Sequence, residues 1–231
     1  MSQAQKFIDE NKKVYNDIAS HFSATRQVLW DDLKDLEHFA HFGDAILDIG
    51  CGNGRLYQMF ANLSTTYTGI DQSEGLIEKA REKFPEAKFV VAPMTELPLE
   101  DASFDVIYCI AAFHHLSTEE LRLQALGEMK RVLKPGGKVI MTNWNAQSNW
   151  AVAKVKKGDW SIGEDPDHFI VPWKNSKKEV KGLRHYWLLT PEHLVDLASQ
   201  AGLSVQEQYY VSRGERVGIH RGMNLVSIIS L

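Results

Sequence analysis

The 231-residue chain sets 26 Lys and Arg against 30 Asp and Glu, a net charge of −4, with 44% hydrophobic residues. This composition suits a chain that buries a full core, and it excludes a protein coated in positive potential for nonspecific nucleic-acid binding. Two cysteines, Cys51 and Cys109, are too few for a disulfide framework or a C-x-x-C zinc site and read as small buried residues. No run approaches the roughly 18 apolar residues of a membrane span, and no secretory segment follows Met1, so the expectation is a cytoplasmic protein with no membrane partner.

In chain order, Phe7, Ile8, Val14, Tyr15, Ile18 and Ala19 recur at helical spacing and predict an amphipathic helix over 5–22. Ser23 or Thr25 then caps a second, with Val28, Leu29, Leu33, Leu36 and Phe39 on one face. From there strands and helices alternate: strand 45–49, helix 53–62, strand 66–71, helix 73–83, strands 88–92 and 104–110, helix 118–133, strand 137–143. Ser73 at a helix start and Pro135-Gly-Gly137 after a helix end are the punctuation. Such alternation means a parallel sheet covered on both faces, with right-handed crossovers that bring the C-terminal strand ends to one rim. Gly50, Asp71, Met94 and the run Ile110 to His115 share that rim.

Residues 145–190 are rich in Lys, Gly, Asp, Trp and Pro and show no sustained period. They read as a substrate-facing insertion or lid, with a disordered insertion as the alternative. Thr190-Pro191 opens a helix to Gln200, and strands 204–211 and 223–230 form a closing antiparallel hairpin. The expected fold is one α/β domain over 1–231 with a mostly parallel seven-stranded sheet: N-terminal helices 1–44, a core 45–144, the insertion 145–190, and a C-terminal part 191–231. Lys154, Lys156, Lys157, Lys174, Lys177, Lys178, Lys181 and Arg184 crowd the insertion, either as a local basic face or as ordinary solvated surface.

The organising stretch is Ala45-Ile-Leu-Asp-Ile-Gly-Cys-Gly-Asn-Gly-Arg55, an apolar run ending in three glycines spaced two apart. Without Cβ atoms the turn can take positive φ and let a ligand approach the backbone. Asp71 ends the next strand about 20 residues on, where an acid grips a ribose diol. Arg55 stands where a dinucleotide fingerprint would have its third glycine. With Asp48 two residues before Gly50, the pattern instead resembles the G-x-G-x-G turn of the Rossmann-like class I S-adenosylmethionine methyltransferases. The resemblance implies S-adenosylmethionine as cofactor and Asp48, Gly50, Cys51, Gly52, Asn53, Gly54, Asp71, Gln72, Met94 and Ile110 as its binding residues.

Further segments narrow the likeness. Tyr15-Asn-Asp-Ile-Ala-Ser-His-Phe-Ser-Ala-Thr-Arg26, Ile110-Ala-Ala-Phe-His-His-Leu-Ser-Thr118, Leu133-Lys-Pro-Gly-Gly137, Phe169-Ile-Val-Pro-Trp-Lys174 and Arg184-His-Tyr-Trp187 are similar, in order and setting, to eukaryotic tRNA wobble-uridine carboxyl methyltransferases. That family methylates the carboxylate of 5-carboxymethyluridine. The resemblance implies that Tyr15 and Arg26 close the cofactor site, that His115 and Arg184 meet the substrate, and that a small activating partner protein takes part. His114, beside His115 on the rim after the fourth strand, is placed to meet the substrate too, with a structural histidine pair as the alternative. A carboxylate is already ionised at neutral pH, so positioning outweighs general-base work. One departure stands out: the third strand ends Val90-Val-Ala-Pro-Met94, without the usual acid for the adenine amino group. No acid cluster beyond Asp48 and Asp71 is available for a metal. Two alternatives stay open: a small-metabolite methyltransferase using the insertion as a lid, and a non-catalytic subunit that binds cofactor or RNA.

Overall fold

The computed structural model describes residues 2–231. Helix α1 (Gln3–Thr25) starts at Ser2, whose hydroxyl accepts the Gln5 N–H. It runs through the two proposed caps of a second helix: Ser23 and Thr25 lie inside it, and the Thr25 hydroxyl donates back to the carbonyls of His21 and Phe22. The expected long second helix is therefore replaced by the short α2 (Asp31–Lys34) and a 3-10 turn at Glu37–Phe39. Leu33 and Leu36 are buried from these short pieces.

The core alternates as the periodicity predicts: β1 (Ala45–Ile49), β2 (Thr66–Asp71), α3 (Glu74–Lys83), β3 (Lys88–Val91), β4 (Phe104–Ile110), α4 (Glu119–Val132) and β5 (Leu133–Trp144). Ser73 and Thr118 cap α3 and α4 by accepting the N–H groups of Leu76 and Leu121. The expected helix over 53–62 shrinks to a 3-10 segment, Arg55–Met59, from which Leu56 and Met59 are buried. Pro135-Gly-Gly137 does not precede β5 but forms an excursion within it, so that Phe104↔Leu133 is followed by Val106↔Lys138 in the register.

After β5 come α5 (Asn149–Lys156), β6 (Ser161–Ile162), β7 (His168–Lys174), β8 (Val180–Trp187), α6 (Pro191–Gln200), β9 (Ser204–Ser212), β10 (Glu215–Val217) and β11 (Asn224–Ser230). The main sheet has the order β10-β9-β11-β5-β4-β1-β2-β3, parallel from β3 to β5 and antiparallel through β11, β9 and β10. The seven expected strands are thus extended by one short edge strand. Two apolar clusters, around Ile107 and Met129 on one face and Tyr108 and Phe60 on the other, cover the sheet on both sides.

The stretch 145–190, aperiodic in sequence, is ordered as α5 with the antiparallel sheet β6-β7-β8. Arg184, His185, Tyr186 and Trp187 are all buried in succession on β8. Tyr186 enters a small core with Ala151, Trp160, Phe169 and Val171, while His185 packs on Phe7 of α1. A strand covered on both faces has no reason to alternate apolar and polar residues.

Candidate active site

The turn after β1 is built by backbone geometry. Gly50 sits at φ +73°, and its N–H donates 2.7 Å to the Ile70 carbonyl. A Cβ there would lie 2.3 Å from the Cβ of Ala112, so no side chain fits. Gly52, at φ +55°, donates its N–H 2.9 Å to Asp71 Oδ2, and Asp71 Oδ1 accepts the Ser73 N–H at 2.9 Å. Asp71 thereby ties the turn to the start of α3, while burial raises its pKa against those two N–H bonds. Gly54 does other work: a Cβ there would meet Phe89 at 2.7 Å, which makes this glycine a packing position.

Asp48 is only 2% exposed and accepts the Tyr67 hydroxyl at 2.6 Å; burial lifts its carboxyl to about 7. Asn53 donates to the Arg26 carbonyl at 3.0 Å and to Ser23 Oγ at 3.3 Å, leaving its own Oδ1 without a partner. Arg55 stacks 4.0 Å over the Trp30 ring with its Nη1 unpartnered, and burial together with Arg26 lowers it to about 10.

Opposite the turn, β8 and α1 assemble a second group. His115 Nδ1 lies 2.7 Å from the His185 carbonyl, which can only accept, so Nδ1 carries the proton and Nε2 accepts from the Tyr15 hydroxyl at 3.0 Å. Burial pushes the His115 pKa down to about 4, hence the ring is neutral at pH 7. Asn11 fixes that carbonyl: its Nδ2 donates to His185 O at 3.1 Å, and its Oδ1 accepts the His185 N–H at 2.8 Å. Arg184 is 7% exposed, with its guanidinium 5.0 Å from the Trp173 ring centroid, 5.4 Å from Tyr186 and 5.9 Å from Trp144. Its Nε has no partner, and no carboxylate pairs with it among the described residues. Arg26 lies over the same Trp173 ring at 5.4 Å, its pKa lowered by burial and by Arg184.

Most of these groups line one open cavity of about 1320 Å³, its mouth included. Of the residues singled out from the sequence, Tyr15, Arg26, Asp48, Gly50, Cys51, Gly52, Asn53, Asp71, Gln72, Met94, Ile110, His115 and Arg184 line it, whereas Gly54 and His114 do not. His114 turns away from the mouth: its Nδ1 accepts the Trp144 N–H at 3.1 Å, and burial holds its pKa well below 6.5. Arg55, which the sequence marked only as the residue in place of a third glycine, also lines the cavity, as do Asn11 and Trp144, which carried no signal in any glycine or histidine motif. For Asn11 the available clue was a polar residue on the apolar face of a helix. Ala111, at φ +52° beside the glycine turn, adds a strained backbone position of the kind that clusters at functional sites.

A methyltransferase domain family matches residues 47–141, from the middle of β1 to β5. The tRNA (carboxymethyluridine(34)-5-O)-methyltransferase of Schizosaccharomyces pombe is 31% identical over 217 residues, covering 86% of this chain and 90% of that protein. The protein of the same name in Saccharomyces cerevisiae is 33% identical, covering 77% of this chain and 61% of its own. The alkbh8 protein of Xenopus tropicalis, also so named, is 36% identical over 62% of this chain, and the match spans only 22% of its length. A crystal structure of a Methanosarcina mazei S-adenosylmethionine-dependent methyltransferase superposes with a TM-score of 0.66 at 22% identity, over 85% of this chain and 96% of that one. The chain belongs to the S-adenosylmethionine-dependent methyltransferases.

The methyltransferase cavity fits that cofactor on its own evidence. A glycine turn that excludes any side chain, an acid at the neighbouring strand end, and unpartnered polar atoms on Asn53 and Arg55 form a cradle for a polar ligand. When bound, S-adenosylmethionine supplies an electrophilic methyl on a sulfonium. The chain's task is to hold a nucleophile in line and exclude water, an effect worth on the order of 7–11 kcal/mol. The half of the cavity lined by Tyr15, His115, Arg184 and three large aromatics offers directional polar groups within an apolar wall.

Proposed function

We propose that this methyltransferase esterifies the carboxylate of a 5-carboxymethyl group on the wobble uridine of tRNA. The observation that carries the reading is Arg184: a buried cation with an unpartnered Nε, caged by Trp144, Trp173 and Tyr186 and without an acid partner among the described residues. An uncompensated buried arginine calls for an anion, and its aromatic walls suit a flat base. The names of the relatives point to the same substrate.

On this reading the Gly50 to Gly52 backbone, Asn53 and Asp71 hold the cofactor, with Asp71 on the ribose hydroxyls through its remaining lone pairs. Met94, Ile110 and Gln72 flank the nucleoside, and Asp48 braces the turn from below through Tyr67. Tyr15 and Arg26 close the mouth, and the 145–190 segment faces the substrate. Transfer of a methyl from sulfonium to carboxylate cancels charge, so a cation clamped on both oxygens would favour the ground state. Arg184 therefore orients the acceptor through one oxygen or a phosphate, and neutral His115, locked by Tyr15 and His185, positions without taking a proton. His114 supports the β5 end.

The proposal extends to a small activating subunit, an expectation carried by the family likeness. A Haloferax volcanii structural neighbour (TM-score 0.66, 16% identity, covering 95% of this chain and 96% of its own) was solved in complex with the Trm112 methyltransferase activator. The test is incubation with methyl-labelled cofactor and tRNA bearing 5-carboxymethyluridine, with and without such a subunit, followed by digestion to nucleosides. Alkali-labile label on uridine is the expected outcome; label confined to a small metabolite would overturn the reading.

A further inference from the structure

From the cavity to the surface runs an unbroken series of aromatic rings. Tyr186 stacks on Trp144 at 4.6 Å and 7°, and Trp144 on Trp160 at 5.7 Å and 10°. Trp160 in turn meets Trp150 of α5 edge-on at 5.1 Å. Trp150, the outermost ring, is 44% exposed, an unusual setting for so large an apolar side chain. The Lys154 ammonium, one turn along α5, lies 5.9 Å from its centroid.

The charge around this ring departs from that of the chain. Residues 145–190 hold eight Lys and Arg against five Asp and Glu, in a chain whose net charge is −4. Lys154 and Lys174 share Asp159, and Lys181 pairs with Glu179. Lys156 and Lys157 at the end of α5, and Lys177 and Lys178 in the β7–β8 turn, are exposed and make no ion pair among the described residues. His220 and Arg221 adjoin the start of α5, where the Asn149 N–H donates to the His220 carbonyl.

We infer that the outer face of α5, with Trp150 as stacking platform and Lys156 and Lys157 as backbone contacts, docks the single-stranded nucleotides that flank the target uridine. This rests on the tRNA reading and gives that substrate its approach path. A base stacks on any aromatic face without sequence preference, and lysines track the phosphates, which is the combination that single-stranded RNA requires. Successive contacts from Trp150 through Trp160 to Trp144, which lines the cavity beside Arg184, tie this face to the site.

The experiment measures methylation kinetics and fluorescence anisotropy on an anticodon stem-loop carrying 5-carboxymethyluridine, across a salt series. Trp150→Ala should raise the KM and Kd for the stem-loop roughly tenfold, the scale of one lost base stack, with kcat and cofactor affinity as in the parent. Trp150→Phe should restore most of the loss. Lys156→Gln with Lys157→Gln should flatten the plot of log K against log salt by about 1.4, the share of two contacts to a single strand. Parent-like KM, Kd and salt slope in these variants would overturn the docking face while leaving the tRNA reading intact. A parent enzyme that neither binds nor methylates the stem-loop would overturn both. Tighter, Trp150-dependent binding of a labelled polyglutamate peptide would reassign the face to an acidic protein.

Discussion

Asp48 carries its carboxyl in a buried site whose desolvation outweighs the Tyr67 hydrogen bond, so its folded pKa of about 7 lies well above the unfolded value near 4. Because the folded pKa is the higher one, the stability from Asp48 is full below pH 4 and is lost as pH rises towards 7. Asp48→Asn keeps an acceptor for Tyr67 without the titration. The cofactor-free variant should therefore match the parent in urea unfolding near pH 4 and exceed it by on the order of a few kcal/mol at pH 8. A constant difference across that range would refute the assignment. His115 runs the other way: its folded pKa of about 4 lies below the unfolded value, so its contribution is full above about pH 6.5 and disappears as pH falls through 4. Since the neutral ring with Nδ1–H on the His185 carbonyl persists throughout pH 5–8, kcat/KM should show no inflection near 6.5. An inflection there that His115→Gln removed would establish a proton-transfer role.

At the scale of elements, the glycine turn separates two effects usually confounded. Gly43, before β1, has φ +85° and open space around it, whereas Gly50 has φ +73° and the Ala112 Cβ in the way. Gly43→Ala should cost about 1–2 kcal/mol, the strain of a left-handed alanine. Gly50→Ala adds overpacking of about 1–3 kcal/mol and displaces the rim at Ala111 and Ala112. Calorimetry should find cofactor binding unchanged in the first variant and abolished in the second; equal losses would refute the distinction. This turn was legible because a strand, three glycines and a distant acid are all local signals. The elements misread were those whose ends lack local cause. Thr25 offers a capping hydroxyl yet spends it on the His21 and Phe22 carbonyls, and β8 is covered on one face by its own segment and on the other by α1, far off in the chain. Arg184 stood out by its basic run and by resemblance, Tyr186 by resemblance alone, and Asn11 not at all, because its role arises from a contact with His185, 174 positions away.

For the whole molecule, that contact is what makes one site of two halves. The main sheet supplies the cofactor turn, and the segment after β5 supplies Arg184 and Tyr186. Helix α1 bridges them: Asn16 accepts the Ser73 hydroxyl and the Gly75 N–H at the start of α3, and five residues earlier Asn11 takes both backbone groups of His185. Trp173 adds a bond to His21 on the same helix. Replacing Asn11 with Leu, of similar size, leaves the His185 N–H and half of its carbonyl's bonding unmet in a buried place. That should cost about 2–4 kcal/mol, lowering the melting temperature by roughly 5–15 °C for a chain of this size. Since the Gly50 turn and Asp71 are held by the sheet and α3, cofactor affinity should fall by no more than a fewfold. His115 shares the freed carbonyl, so kcat on the RNA substrate should drop by one to two orders of magnitude, the scale of a small misplacement of positioning groups. Equal damage to cofactor binding and turnover would mean that α1 holds up the fold as a whole, and that the two halves of the site are not separately positioned.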